Sequence, residues 1–248
     1  MRRRREMGEN SVTCKFAEIT VKINYLHSRF ADFCKNYVCS GNADLEITVT
    51  EQDIAEERIR SQAEGNFPDE YLETLAVYRK FCTAAADYGV ILFHGSAVAV
   101  DGEAFIFTAP SGTGKSTHAR LWRKALGDRV EMVNDDKPLI RFKDGEIYVY
   151  GTPWNGKHGL SANISRRLKA VCYLNRGAEN SISPLSPREG FPLLLSQTFL
   201  PEAEEVCGKV ITMVGGLSQS VSLYSLFCNV SQEAALLSYN TMKEGKKV

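Results

Sequence analysis

The chain has 248 residues, 44% of them hydrophobic, with 30 lysines plus arginines against 30 aspartates plus glutamates. Such a length buries a sizeable core and suits one large α/β domain or a catalytic domain with a smaller companion, while the balanced charge supplies no global field for nucleic acid or an anionic membrane. Seven cysteines stand singly without any C-x-x-C pair, which speaks against a disulfide framework or zinc site and for reduced thiols in the cytoplasm.

At the start of the chain, the arginines at 2–5 are followed by Glu6, Glu9, Asn10, Lys15 and Glu18 instead of an apolar signal core, and no run of about 18 apolar residues is present anywhere to cross a membrane. Ala17, Ile19, Val21 and Ile23 then alternate with Glu18, Thr20 and Lys22, which predicts a half-buried strand, and Leu45, Ile47 and Val49 repeat the pattern. Between them Leu26, Phe30, Phe33, Cys34, Tyr37 and Val38 recur at helical spacing. Thr50 with Asp53 predicts a capped, charged helix. Tyr71, Leu72, Leu75, Tyr78, Phe81, Cys82 and Ala85 predict a longer buried one ending near Gly89.

From residue 90 the texture changes to short strands. An apolar strand is expected over 90–93. Strands over 96–100 and 103–107 flank Asp101-Gly102, a two-residue hairpin turn, and 139–142 and 146–150 flank Asp144-Gly145 in the same way. This meander departs from repeated βαβ winding. Further on, the composition predicts a strand over 168–174, a helix opening at the Ser186-Pro187-Arg188-Glu189 capping box, and a helical stripe of Val206, Val210, Met213 and Leu217. A strand over 221–228 and a closing helix over 232–242 complete the chain.

The stretch Ala109-Pro110-Ser111-Gly112-Thr113-Gly114-Lys115-Ser116-Thr117 follows the phosphate-loop pattern G-x-x-x-x-G-K-[ST], with alanine in place of the first glycine. A triphosphate needs several backbone N–H donors converging on one point, and Gly112 and Gly114 allow the positive φ and close approach this requires. The helix expected to begin near Lys115 aims unsatisfied amides and its dipole at the same oxygens. Lys115 would reach the β- and γ-phosphates, and the Ser116 hydroxyl would join the Mg²⁺ shell, with Thr117 as a secondary candidate. A strand over 104–107 before the loop and the apolar face Leu121, Trp122, Ala125 and Leu126 after it supply the context. His118, just beyond the loop, reads as an exposed polar side chain.

Residues 130–133 should form a strand that delivers Asn134-Asp135-Asp136 to its C-terminal end, where a carboxylate would meet the metal. One aspartate can hold Mg²⁺ while the other takes a proton from an incoming hydroxyl; spacing does not divide the roles, and Asp136 stands with Ser116 as the candidate metal ligand. The loop Trp154-Asn155-Gly156-Lys157-His158-Gly159 joins glycines, an aromatic, a cation and a histidine, as expected where a loop closes on a ligand. Lys157 is a candidate for stabilising the transferring phosphoryl group and His158 for phosphate or metal contact. Arg120, Arg123, Arg141 and Arg176 are possible phosphate ligands.

His94-Gly95, the hairpin, the phosphate loop, a helix and Asp135-Asp136, in that order over residues 90–155, resemble the core of HPr kinase/phosphorylases. Ser111 to Thr117 with the following Asp-Asp is also similar to ATP-dependent phosphoenolpyruvate carboxykinases. The resemblance implies an α/β fold with a mixed-sheet P-loop core of that type and an N-terminal α/β segment. It implies that Lys115 and Ser116 bind nucleotide and metal, that Asp135 or Asp136 supplies the catalytic carboxylate, and that His94 lies near the phosphates. The chain departs from HPr kinases in lacking an arginine-glycine-leucine-glycine stretch after the acidic pair; Tyr150-Gly151-Thr152-Pro153 and the 154–159 loop stand there instead. As a whole it resembles the HPr-kinase-like proteins of bacteria, some of which belong to peptide-modification clusters and phosphorylate a serine hydroxyl.

The domain reading is a disordered basic N-terminus at 1–14, an N-terminal α/β subdomain at 15–89 and a P-loop kinase-like catalytic domain at 90–248. The expected activity is transfer of the γ-phosphoryl group of ATP, with Mg²⁺, to a hydroxyl of a protein, peptide or small molecule, serine foremost. Two rivals are a nucleotide-sensing module with little or no transfer and a carboxykinase-like enzyme acting on a small carboxylic acid.

Overall fold

Why the chain opens with a hairpin is visible at its turn. In the structure, a computed structural model that describes residues 10–245, Ala17 and Glu18 take φ of 47° and 62° and join β1 (Asn10–Phe16) to β2 (Ile19–Tyr25) as an antiparallel pair. Two consecutive residues at positive φ match the right-handed twist of the flanking strands. This corrects two expectations. Ala17 and Glu18 make the turn rather than the start of a strand, and residues 10–14 are not disordered, because Asn10 to Cys14 pair with Tyr25 to Val21 and Cys14 is buried. Residues 1–9 of the basic N-terminus lie outside the described residues.

The chain divides between Ala84 and Ala85 into two compact units. In the first, β2 pairs parallel with β3 (Leu45–Thr48) after the short helix α1 (Arg29–Phe33), and α2 (Glu51–Ser61) and α3 (Asp69–Ala85) follow. Thr50 caps α2 with a full capping box, its hydroxyl accepting from Asp53 N–H while the Asp53 carboxylate accepts from Thr50 N–H. Phe16, Ile19, Ile23, Phe30, Leu72 and Phe81 are all but fully buried, and Phe16 meets Phe81 edge-on at 5.4 Å. The buried Glu73 carboxylate satisfies the backbone amides of Leu26 and His27, so its charge is spent holding the chain between strand and helix.

The second unit is built on a nine-stranded mixed sheet, which supports the α/β class. In chain order come β4 (Val90–Leu92), β5 (Ser96–Val100), β6 (Glu103–Thr108), α4 (Lys115–Leu126), β7 (Val130–Asn134), β8 (Leu139–Lys143) and β9 (Glu146–Tyr150). Then follow β10 (Ser165–Arg176), β11 (Ser181–Leu185), α5 (Pro187–Leu195), α6 (Glu204–Ser220), β12 (Ser222–Cys228) and α7 (Gln232–Glu244). The sheet order is β4-β8-β9-β10-β6-β5-β7, with β12 also on β10 and β11 on β12. β10 is long enough to change neighbours, since 165–167 pair with β9 and 170–176 with β12. Its pairings with β6 and β12 are parallel; the other strand pairs of this sheet are antiparallel.

Both faces of the sheet are covered, so its central strands read as unbroken apolar runs. On β6, Ala104 and Ile106 face one core with Leu194 of α5 and Val210, Val214 and Leu217 of α6. Phe105 and Phe107 face the other, with Trp122 of α4 and Tyr239 and Met242 of α7. Trp122 donates to Ser238 Oγ at 2.8 Å, and His118 Nε2 lies 2.9 Å from the same hydroxyl. His118 is therefore buried rather than exposed as expected, because α4 turns that face onto α7, and burial lowers its pKa to about 4. β11 has no counterpart in the sequence reading, since Pro184 and alternating serines mask an outer strand. No described helix is long and apolar enough to cross a membrane, and the seven cysteines are free thiols.

Candidate functional site

β6 ends at Thr108 and the chain turns at once into α4. Gly112 and Gly114 take φ of 76° and 121°, and a Cβ on either would meet nothing within 4 Å. The demand for glycine there is conformational and leaves open space over the loop. Helical bonding begins with His118 N–H donating to Gly114 O at 2.9 Å, so the amides of Lys115, Ser116 and Thr117 form the polarised N-terminal end of α4. At the end of β10, Arg176 donates from Nη2 to Gly112 O at 2.6 Å and ties the loop to the sheet.

Lys115 is only 7% exposed and folds back to donate to Ala109 O at 2.9 Å and Pro110 O at 3.4 Å. Burial lowers its pKa, and the negative charge of Asp136 partly restores it. The lysine is thus held on the loop's own uncharged carbonyls, an arrangement that an anion over the loop would improve.

The acidic corner is assembled by Asn134, the last residue of β7 and wholly buried. Its Oδ1 accepts from the backbone amides of Asp136 (2.8 Å) and Lys137 (2.7 Å), a side-chain turn that bends the chain at the pair. Its Nδ2 donates toward Thr152 O, Thr152 Oγ1 and Trp154 O at 3.0–3.2 Å, clamping residues 152–154 against the corner. Thr152 reinforces this by donating to Lys137 O at 2.8 Å.

The two carboxylates then meet different surroundings. Asp135 is 3% exposed; Oδ1 accepts from Gly156 N–H at 2.6 Å, and Oδ2 is buried without a hydrogen-bond partner. Burial pushes its pKa up; the Gly156 amide pulls it down, and Asp136 adds to the rise. A Cβ on Gly156 would stand 3.1 Å from Oδ2, so the loop closes on this carboxylate at a position where a side chain would press on it. For Asp136, burial also pushes upward, but His94 Nε2 at 3.5 Å from Oδ1 and Lys137 Nζ at 3.2 Å from Oδ2 outweigh it and bring the pKa to about 2. His94 is itself placed by Gln197, whose Oε1 lies 3.1 Å from Nδ1 and whose carbonyl accepts from His94 N–H at 2.8 Å. Thr108, at the end of β6, donates to His94 O, so the histidine is anchored to the strand that feeds the loop.

Two clefts flank the start of α4. The larger, 490 Å³, is lined by Gly112, Gly114, Thr117, Leu121, Leu174, Arg176 and Val230 among others; the smaller, 270 Å³, is lined by Ser116, Arg120, Arg123, Asp135 and His158, with Met132 and Leu160 on its walls. Ser116 Oγ lies 3.4 Å from Asp135 O, which joins the loop to the acidic corner directly.

Of the residues expected here, Ser116, Asp135 and His158 share one cleft, while Asp136 and His94 pair beside Lys115. Ser111 and Thr113 line a surface depression on the loop's outer side. Lys157 and His158 are exposed, whereas Trp154 is 4% exposed and belongs to the interior instead of offering a ring to a ligand. Arg141 lies on β8 opposite Val90 and Tyr148 and lines neither cleft. The residues that sequence reasoning missed are Asn134, Thr152, Gly156 and Gln197. Asn134 carried a local signal as an asparagine before an acidic pair and Gly156 as a glycine of the 154–159 loop, whereas Thr152 and Gln197 carried none.

No curated protein matches the chain. Among solved structures it is similar to the Hpr(Ser) kinase/phosphatase from Coxiella burnetii, with 9% identity and a TM-score of 0.38 over 62% of this chain and 88% of that one, a likeness too distant to carry an argument. A family model described as "SynChlorMet cassette protein ScmC" matches residues 69–199, more than half of the chain and a stretch that includes the loop, the acidic corner and Gln197. The chain belongs to the ScmC family.

Proposed function

We propose that this protein is an ATP- and Mg²⁺-dependent phosphotransferase with a P-loop core of the HPr kinase and phosphoenolpyruvate carboxykinase type, and that it passes the γ-phosphoryl group to a hydroxyl. One observation carries the reading. The open amide end of α4, the buried Lys115 and two aspartates with opposite protonation tendencies lie together at the ends of β6 and β7.

The amides of residues 112–117 and Lys115 receive the β- and γ-phosphates, with Arg176 holding Gly112 in place. Asp135, whose pKa is raised and whose cleft is open beside Ser116, accepts the proton of the acceptor hydroxyl. Asp136, kept ionised by His94 and Lys137, is the carboxylate suited to the metal together with Ser116 Oγ. A carboxylate and a hydroxyl suit Mg²⁺, which takes one or two carboxylates, water and phosphate oxygens rather than an all-protein cage. When bound, it neutralises charge on the bridging phosphates. Lys157 and His158, exposed on the loop beside Asp135, are the candidates for stabilising the transferring group.

The test is transfer of label from γ-labelled ATP to an acceptor or to water. Lys115→Ala is expected to lower it by about 10² or more, with weaker nucleotide binding by titration. Wild-type label transfer by that variant in a clean preparation would overturn the assignment. A sensor reading has one observation in its favour, the burial of Asp135 Oδ2 beneath Gly156, and it predicts tight nucleotide binding with no label transferred by the wild-type protein.

A further inference from the structure

The smaller cleft carries information about the acceptor that the nucleotide-binding loop does not. Ser116, Arg120 and Arg123 fall at i, i+4 and i+7 of α4, one face of the helix, and that face forms a wall of the cleft whose other side bears Asp135 and His158. Three other arginines in this unit are paired with acids: Arg129 with Asp101, Arg166 with Glu131 and Arg167 with Glu146. Arg120 and Arg123 have no ion-pair or hydrogen-bond partner for their side chains among the described residues, although both are solvent-exposed and stand above a carboxylate that is 97% removed from solvent with one oxygen unpartnered. Two unneutralised guanidiniums on the wall of a cleft that ends at a candidate base make an anion-binding rim.

Resting on the phosphotransfer reading above, we propose that this cleft is the acceptor subsite and that it selects a hydroxyl in an acidic peptide segment. The spacing argues for a peptide over a small hydroxy acid. Arg120 and Arg123 lie about 6 and 10 Å further along α4 than Ser116 at 1.5 Å per residue. An extended peptide covers that distance in about two to three residues at 3.3 Å each. A carboxylate two or three residues from the acceptor hydroxyl therefore reaches the guanidiniums while the hydroxyl rests at Asp135. Free serine and glycerate carry the carboxylate within two carbons of the hydroxyl and span less of that wall.

The experiment offers γ-labelled ATP with three serine peptides identical except for aspartate, asparagine or lysine two and three residues from the serine, alongside free serine and glycerate. The aspartate peptide is expected to exceed the asparagine peptide by about tenfold in kcat/KM, the difference lying in KM, with the lysine peptide poorest. In the double variant R120E/R123E the order inverts, with the lysine peptide best. Thermal midpoint serves as the folding control. An inversion of charge preference is a readout that a merely structural role for the arginines does not produce. Equal use of the aspartate and asparagine peptides, an unchanged order in R120E/R123E, or preferential labelling of free serine or glycerate overturns the proposal. Nucleotide binding and hydrolysis without any labelled acceptor overturns the subsite and leaves the nucleotide reading standing, whereas absence of nucleotide binding by the wild-type protein overturns both.

Discussion

The phosphate loop and the acidic corner touch through Ser116 and Asp135, yet they are built by opposite means. The loop is local: nine consecutive residues, two glycines at positive φ and the end of one helix are enough to specify it. The corner is assembled from distant pieces, with Asn134 gathering 136, 137, 152 and 154, Gly156 capping Asp135, and Gln197 fixing the histidine that holds Asp136. A local device binds a chemically constant group such as a polyphosphate; a composite one can set two neighbouring carboxylates to different protonation states.

That contrast breaks most sharply at Asp135. Asp135→Asn keeps the shape of the corner and removes the proposed base, so phosphotransfer is expected to fall by about 10² to 10⁴ while nucleotide affinity is retained. In the wild type, the rate should decline as pH falls through the raised pKa of Asp135, above its ordinary value of 3.8, and this acidic limb should vanish in the variant; a limb that persists assigns the titration elsewhere. Steady-state rates across pH with γ-labelled ATP decide it.

Next in size is the organiser. Asn134→Ala leaves the part-buried amides of Asp136 and Lys137 and the carbonyls of Thr152 and Trp154 short of partners, which costs about 3 kcal/mol. In a chain of this size that is a drop of about 6–12 °C in thermal midpoint, measurable by calorimetry. A shift under about 2 °C would mean that the corner does not depend on Asn134.

The smallest effect separates the two aspartates by stability. Asp136 has its folded pKa lowered to about 2, so its contribution is present above the ordinary value of 3.8 and is lost as pH falls through 2. It amounts to about 2 kcal/mol at most. Asp135 works in the opposite direction, since its raised pKa favours the folded state at low pH and that contribution fades as pH rises through it. Urea midpoints between pH 2 and 5 are expected to fall with decreasing pH in the wild type and to fall less in Asp136→Asn. An equal slope in both would show that the His94 and Lys137 contacts do not bias folding.

Much of this was legible before any coordinates. The Asp101-Gly102 and Asp144-Gly145 hairpins, the capping boxes at Thr50 and Ser186 and the loop itself each depend on a few adjacent residues whose backbone preferences are strong. What the sequence by itself determined was therefore everything set at short range: the phosphate loop, the turns, the caps and the apolar runs of the central strands. Tertiary structure alone decided that residues 10–14 pair in β1, that His118 and Trp154 are interior, that β10 changes partners midway, and that Asp135 and Asp136 titrate apart. Those outcomes depend on which groups are brought within a few ångströms from far along the chain, and desolvation and charge pairing at that range leave no mark in residue order.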